Sequence, residues 1–169
     1  MQKIKIGVIG TGHLGSIHTK LWKHNLEVEL VGIYDVDKDK AINIANEYLI
    51  KSFDSLEELF MNVDAVTIAS PTTTHYDVAK LAIENNKHCF IEKPITSTYK
   101  EATKLIELAE KSNVLIQVGH VERFNPAIKA LKDTRIEPLF IEAHRLSQFK
   151  PRATDVSVIH DLMIHDIDL

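Results

Sequence analysis

The chain has 169 residues, 44% apolar and 26% charged, so it can bury a core and falls with ordinary globular proteins. Its net charge of -4, without any basic stripe, argues against nucleic acid as a partner. No apolar run approaches the roughly 18 residues that a membrane span needs, which excludes a membrane role by this criterion.

The first residues, Met1 to Lys5, run straight into a strand-like segment and carry no leader-like apolar core. The single cysteine, Cys89, cannot form an internal disulfide, and the sequence reads as cytoplasmic. Cys89 sits in the apolar run 88–91 and reads as a small buried hydrophobe.

Taken in order, the elements alternate strand and helix. Ile4, Ile6, Val8 and Ile9 predict a buried strand. A helix follows over 14–24, with Leu14, Ile17, Leu21 and Trp22 on its apolar face. The run VELVGIY predicts a strand over 28–34, and 41–48 a helix. Ser55 and Glu58 have capping-box spacing and open a short helix. The run AVTIA predicts a strand over 65–69, followed by a helix over 76–85. Residues 89–91 make another strand. Thr98 and Glu101 form a second capping box, opening a helix to Lys111. VLIQV over 114–118 is the next strand. Strands that are apolar throughout, separated by helices, imply a parallel sheet covered on both faces. Right-handed crossovers make it an α/β doubly wound fold.

The pattern changes after Gly119. Residues 125–131 read as helix, and LFIEAHRLSQF over 139–149 as a long, partly alternating strand. Lys150-Pro151-Arg152 breaks it, and 157–169 reads as helix. One long strand cannot bury its face alone. The division expected is therefore a dinucleotide-binding domain over 1–119 and the unfinished beginning of a second domain over 120–169, as in a truncated chain.

Gly10-Thr11-Gly12-His13-Leu14-Gly15 fits G-x-G-x-x-G between a predicted strand and a predicted helix, the context that gives the string meaning. Gly10 permits the tight turn, Gly12 lets a pyrophosphate approach the backbone, and Gly15 lets helix and strand pack closely. The helix N-terminus offers free N–H groups to the phosphates. Asp35 ends the second strand, 20 residues after Gly15. A carboxylate there accepts from the adenosine ribose hydroxyls and repels a 2′-phosphate. With no cation at Val36 or Asp37, NAD is expected over NADP.

Further polar segments follow later strands: SPTTTH at 70–75, EKP at 92–94 and GHVERFNP at 119–126. A fourth, DLMIHDID, lies at 161–168. On an α-helix Asp161 and His165 share a face, and a carboxylate beside an imidazole suits a proton acceptor. Singly, each has an ordinary alternative: a helix cap at Thr72 to His75, a solvated loop lysine at Lys93, an exposed helix pair at Asp161 and His165. Nine histidines show no metal-ligand spacing, so no metal is expected.

As an ordered set these motifs resemble the Gfo/Idh/MocA family of NAD(P)-dependent oxidoreductases over essentially the whole chain. The resemblance implies a Rossmann domain followed by an α/β domain with a mostly antiparallel sheet, which members use to associate into homo-oligomers. It implies that Lys93 approaches nicotinamide and substrate, after Glu92 and before a cis-bonded Pro94. It matches Asp161 and His165 to the family's D-x-x-x-H pair. Ser70, Pro71, Thr72 and His75 match its cofactor-contacting loop. Arg123 is expected at the cofactor or a substrate phosphate, with a surface salt bridge as its alternative. The implied chemistry removes a hydride from a secondary alcohol of a sugar or nucleotide sugar. His165 takes the hydroxyl proton, helped by Asp161, and Lys93 stabilises the oxyanion. GHVERFNPA and DLMIHDID further resemble a subgroup that oxidises the 3-hydroxyl of the sugar in UDP-N-acetylglucosamine. Other readings are a reductase of another carbonyl or imine substrate, and a fragment or sensor that binds dinucleotide without catalysis.

Overall fold

The apolar runs become strands with little exposed surface: Val8, Val66, Ile68 and Ile91 are all at most 1% exposed. The computed structural model describes residues 3–131, 134–135, 137–144, 146 and 157–169. The strands are β1 (Ile4–Ile9), β2 (Val28–Tyr34), β3 (Lys51–Ser52), β4 (Ala65–Ile68), β5 (His88–Ile91) and β6 (Ile116–Val118). All pair in parallel, in the order β3-β2-β1-β4-β5-β6. This is the doubly wound order, and its direction reverses between β1 and β4. A ligand crevice is expected outside the carboxyl ends of those two strands.

The helices between them are α1 (His13–His24), α2 (Lys38–Tyr48), α3 (Leu56–Asn62), α4 (Thr72–Glu84) and α5 (Tyr99–Ser112). Successive β1 residues face opposite sides, so Val8 joins Leu30, Ile33 and Ala45 in one core cluster. Ile9 joins Ile68, Ile91, Leu59, Phe60, Ile83 and Leu105 in the other, larger cluster. Leu59 is wholly buried, and truncating such a side chain to alanine typically costs about 2–5 kcal/mol. Caps fix the helix starts. Ser55 accepts from the Glu58 amide at 3.1 Å, and Thr98 and Glu101 form a complete capping box.

Several expectations are corrected. Leu14, Ile17 and Leu21 do not face the sheet: they are 43%, 42% and 61% exposed. Small residues, Gly15 and Thr19, form the buried face of α1, with Trp22 Nε1 donating to Thr67 Oγ1 at 2.8 Å. Helix α4 begins at Thr72, four residues before the predicted start at Tyr76, because Pro71 takes the cap position and a proline there loses no helical N–H bond. β3 was not expected; it pairs Lys51 and Ser52 with Gly32 and Ile33. β6 starts at Ile116 rather than Val114.

After β6 come a 3-10 turn (Val121–Phe124) and α6 (Pro126–Leu131). The strand expected over 139–149 is absent at 139–144 and 146, where the described residues offer no partner strand to pair with it; its other positions lie outside the described residues, as do 150–156. The closing helix is a π-helical turn (Ile159–Met163) continuing into α7 (Ile164–Asp168). Among the described residues no helix is long and apolar enough to cross a membrane, and no group of His, Cys, Asp and Glu is placed to hold a metal ion.

Candidate active site at the carboxyl edge of the sheet

The glycine loop joins β1 to α1 at the reversal point. Gly10 has φ +87°, and a Cβ there would lie 2.6 Å from the Ser70 nitrogen. The glycine is therefore required both by conformation and by the close approach of the β4 loop. A Cβ at Gly15 would collide with the Gly10 carbonyl, so α1 sits tight on the strand. At Gly12 an added Cβ would meet nothing within 4 Å. Packing does not demand that glycine; the space above it is where a pyrophosphate would come close to the backbone. Gly12 is also the N-cap of α1 and makes no side-chain cap bond, so the first amides of the helix are available to an anion. His13 and Leu14 are exposed at the loop's outer edge.

Thr11 is wholly buried and ties this loop to β2. Its amide and hydroxyl donate to Asp35 Oδ2 at 2.6 and 2.8 Å, and the Asp37 amide donates to Oδ1 at 2.9 Å. Partial burial pushes the Asp35 carboxyl up, but these three hydrogen bonds and the charge of Lys40 outweigh it and hold the carboxyl below its ordinary value. Asp35 is thus an anion oriented by the loop itself; Oδ2 already accepts twice, and Oδ1 keeps acceptor capacity for a ribose hydroxyl. Loop, helix terminus and carboxylate together fit a dinucleotide.

The loop after β5 carries Glu92, Lys93 and Pro94, with a cis Lys93–Pro94 bond. Glu92 Oε1 lies 2.6 Å from His18 Nε2, and Oε2 accepts from the Lys93 amide at 3.2 Å. The Lys93 ammonium donates to Asp161 Oδ1 at 2.8 Å and to the Asp161 carbonyl at 2.7 Å. The two side chains are only 14% and 21% exposed. This pair joins residues 68 apart in sequence and brings the 161–168 segment onto the sheet edge. Asp161 lies in the π-helical turn, which is wider than the α geometry assumed from the spacing.

Arg123 grips Asp168 with two hydrogen bonds, Nε at 2.7 Å and Nη2 at 2.6 Å, and His120 Nδ1 is 3.4 Å from the same carboxylate. The Arg123 hydrogen bond is the main cause of an Asp168 carboxyl held below its usual value. Burial opposes it, and the charges of His120, Arg123 and His165 add to it. His165 therefore lies near Asp168. In the β4 loop, the Thr74 hydroxyl donates to the Pro71 carbonyl at 2.8 Å and accepts from the Ser70 hydroxyl, with the two oxygens 2.7 Å apart. Thr72 and His75 are buried in the first turn of α4, while Pro71 is exposed.

Motif reading missed four members of this neighbourhood: His18, Thr11 as the Asp35 tether, His120 and Asp168. His18 was hidden because its helix was assigned the wrong buried face. Asp168 was visible inside DLMIHDID, but nothing in one chain's sequence shows that it meets Arg123.

The profile of the Gfo/Idh/MocA oxidoreductase family, NAD-binding Rossmann fold, matches residues 4–120. The chain is 42% identical to UDP-N-acetylglucosamine 3-dehydrogenase of Acidithiobacillus ferrooxidans, over 100% of this chain and 54% of that protein. A solved structure of that enzyme superposes with a TM-score of 0.93 at 41% identity, covering 99% of this chain and 55% of the other. Inositol 2-dehydrogenase of Paracoccus denitrificans is 33% identical over 98% of this chain and 53% of its own length. The chain thus spans about half the length of these relatives. With the parallel sheet, the glycine loop and the Asp35 anion in place, the chain belongs to the Gfo/Idh/MocA family of oxidoreductases with an NAD-binding Rossmann fold.

Proposed function

We propose that this chain forms the cofactor-binding and catalytic half of an NAD-dependent dehydrogenase acting on a secondary alcohol of a nucleotide sugar, the 3-hydroxyl of UDP-N-acetylglucosamine. The observation that carries the reading is the Lys93–Asp161 pair at the carboxyl edge of the sheet, with Lys93 in the loop that leaves β5. The likeness to a UDP-N-acetylglucosamine 3-dehydrogenase over the whole chain supports the substrate. Residues 1–119 are the dinucleotide domain. Residues 120–169 open a second domain whose mostly antiparallel sheet grips the sugar and mediates self-association.

Gly10 to Gly15 and the α1 terminus hold the pyrophosphate, and Asp35 takes the ribose of NAD in preference to NADP. Ser70, Pro71, Thr72 and Glu92 border the nicotinamide end. NAD, when bound, supplies the hydride acceptor. Lys93 presents its ammonium to the substrate oxygen and stabilises the charge developing there. Asp161 fixes the direction of that ammonium through the 2.8 Å contact. His165 takes the hydroxyl proton as general base. Arg123 shapes this end of the site through Asp168.

The test is Lys93→Ala, assayed by formation of reduced nicotinamide with a panel of nucleotide sugars and inositols. Turnover on UDP-N-acetylglucosamine falls by about 10²–10³-fold, while NADH affinity changes by less than about three-fold. Undiminished turnover refutes the role of Lys93. Tested with the second domain complete, a protein that binds NADH yet turns over no member of the panel refutes the activity, and preference for an inositol refutes the substrate.

A further inference from the structure

We infer that His75 is a positioning residue that sets the direction of Lys93 by clamping the carbonyl of Pro94; the inference rests on the dehydrogenase reading above. The imidazole is 1% exposed, so it acts on a ligand only through its neighbours. Nδ1 lies 2.9 Å from the Pro94 carbonyl oxygen and Nε2 lies 2.9 Å from that of Ser70. The ring thus bridges the two loops that leave β4 and β5. On one side is Ser70, whose backbone abuts Gly10. On the other is Pro94, bonded directly to Lys93.

A neutral imidazole has a single N–H, so the two carbonyls compete for it. The contact with Pro94 is buried, whereas the contact with Ser70 is only partly so. A buried carbonyl without a donor is costly, whereas a partly exposed one can turn to water. The proton therefore belongs on Nδ1, and the Pro94 carbonyl is its partner. Held there, Pro94 fixes the backbone from which the Lys93 side chain reaches Asp161. A catalytic group displaced by a fraction of its contact distance loses rate steeply.

Two isosteric replacements separate this role from its alternatives. The amide nitrogen of His75→Asn falls near the position of Nδ1; that of His75→Gln falls near Nε2. The clamp predicts that His75→Asn, which keeps a donor near the Nδ1 position, loses less of kcat than His75→Gln. His75→Gln loses at least about ten-fold in kcat and exposes the Lys93 amine to acylation about five-fold faster. NADH affinity stays within about three-fold in both. A ring that merely fills volume gives the reverse order, because glutamine is closer to histidine in size, and this result overturns the inference. Equal loss in both variants overturns it too, as does weakened NADH binding with unchanged Lys93 reactivity. Lys93 labelling and NADH titration do not depend on any sugar being a substrate, so the clamp and the dehydrogenase reading fail separately. If neither variant folds, ¹⁵N spectra of the wild-type ring decide. A proton on Nδ1 sustains the clamp, and a bare Nδ1 overturns it.

Discussion

Asp35→Ala tests the proposed cofactor site and the fold at once, because the carboxylate assigned to the ribose also holds Thr11. Its removal strips the acceptor from the Thr11 amide, the Thr11 hydroxyl and the Asp37 amide. Thr11 is wholly buried, and a buried donor left unmet costs about 1–3 kcal/mol. Asp35 itself is partly exposed, so water enters the space and the low end applies, roughly 2 kcal/mol in total. At about 2–4 °C per kcal/mol for a chain of this size, the midpoint falls by roughly 4–8 °C. The folded carboxyl titrates below its ordinary value. Its stabilisation is therefore complete above the unfolded pKa of about 3.9 and disappears as the pH falls through the folded value. The gap between wild type and variant is constant near neutrality and closes below about pH 4. In binding, a lost bond to a charged acceptor weakens NADH by at least about ten-fold. Disturbance of Thr11 weakens both cofactors, so the informative quantity is their ratio, measured by fluorescence titration with NADH and NADPH side by side. That ratio shifts toward NADPH because the repulsion of the 2′-phosphate is gone. An unchanged ratio refutes the placement of the ribose at Asp35, even if both affinities fall.

The open space at Gly12 predicts a separation of stability from binding. Gly12→Ala has φ -63° and no neighbour to strike, so the variant is as stable as wild type or more so by up to about 1 kcal/mol. It nevertheless binds NADH at least about ten-fold more weakly, because the methyl occupies the pyrophosphate's approach; undiminished titration shows that the pyrophosphate lies elsewhere. Burial pushes the Cys89 thiol up to about 12. Near about pH 8 a thiol-directed reagent leaves the folded chain unmodified and labels it promptly in urea. Prompt labelling without denaturant contradicts the burial of β5.

The sheet was legible because parallel strands covered on both faces read as unbroken apolar runs, and β1, β2, β4 and β5 appear where those runs stand. β3 was not: Lys51 and Ser52 are two polar residues on an edge, too short for any periodicity. The start of α4 was hidden by three consecutive threonines, poor helix formers. Thr74 is kept there by its amide and hydroxyl, both bonded to the Pro71 carbonyl at 2.9 and 2.8 Å. The glycine loop and Asp35 were legible because their spacing is local. The Lys93–Asp161 and Arg123–Asp168 pairs span 68 and 45 residues. Spacing alone could not unite them; only the resemblance to a family named the Lys93 and Asp161 positions together.

The misread face of α1 has a cause that lies in the site. A helix is ordinarily turned so that its largest apolar residues meet the sheet. Here the N-terminus of α1 lies close against the end of β1, the position from which its amides would reach the phosphates of the proposed cofactor. That closeness leaves no room for leucine, since even a methyl at Gly15 would strike the Gly10 carbonyl. Thr19 fits because it is small and its hydroxyl bonds the Gly15 carbonyl at 2.8 Å. Leu14, Ile17 and Leu21 are consequently turned outward, against the preference that burial alone would impose. The close approach of Gly15 to Gly10 prevails over hydrophobic pattern along this helix. The same rotation brings His18 against Glu92, so the helix proposed to receive the phosphates also buttresses the loop carrying Lys93.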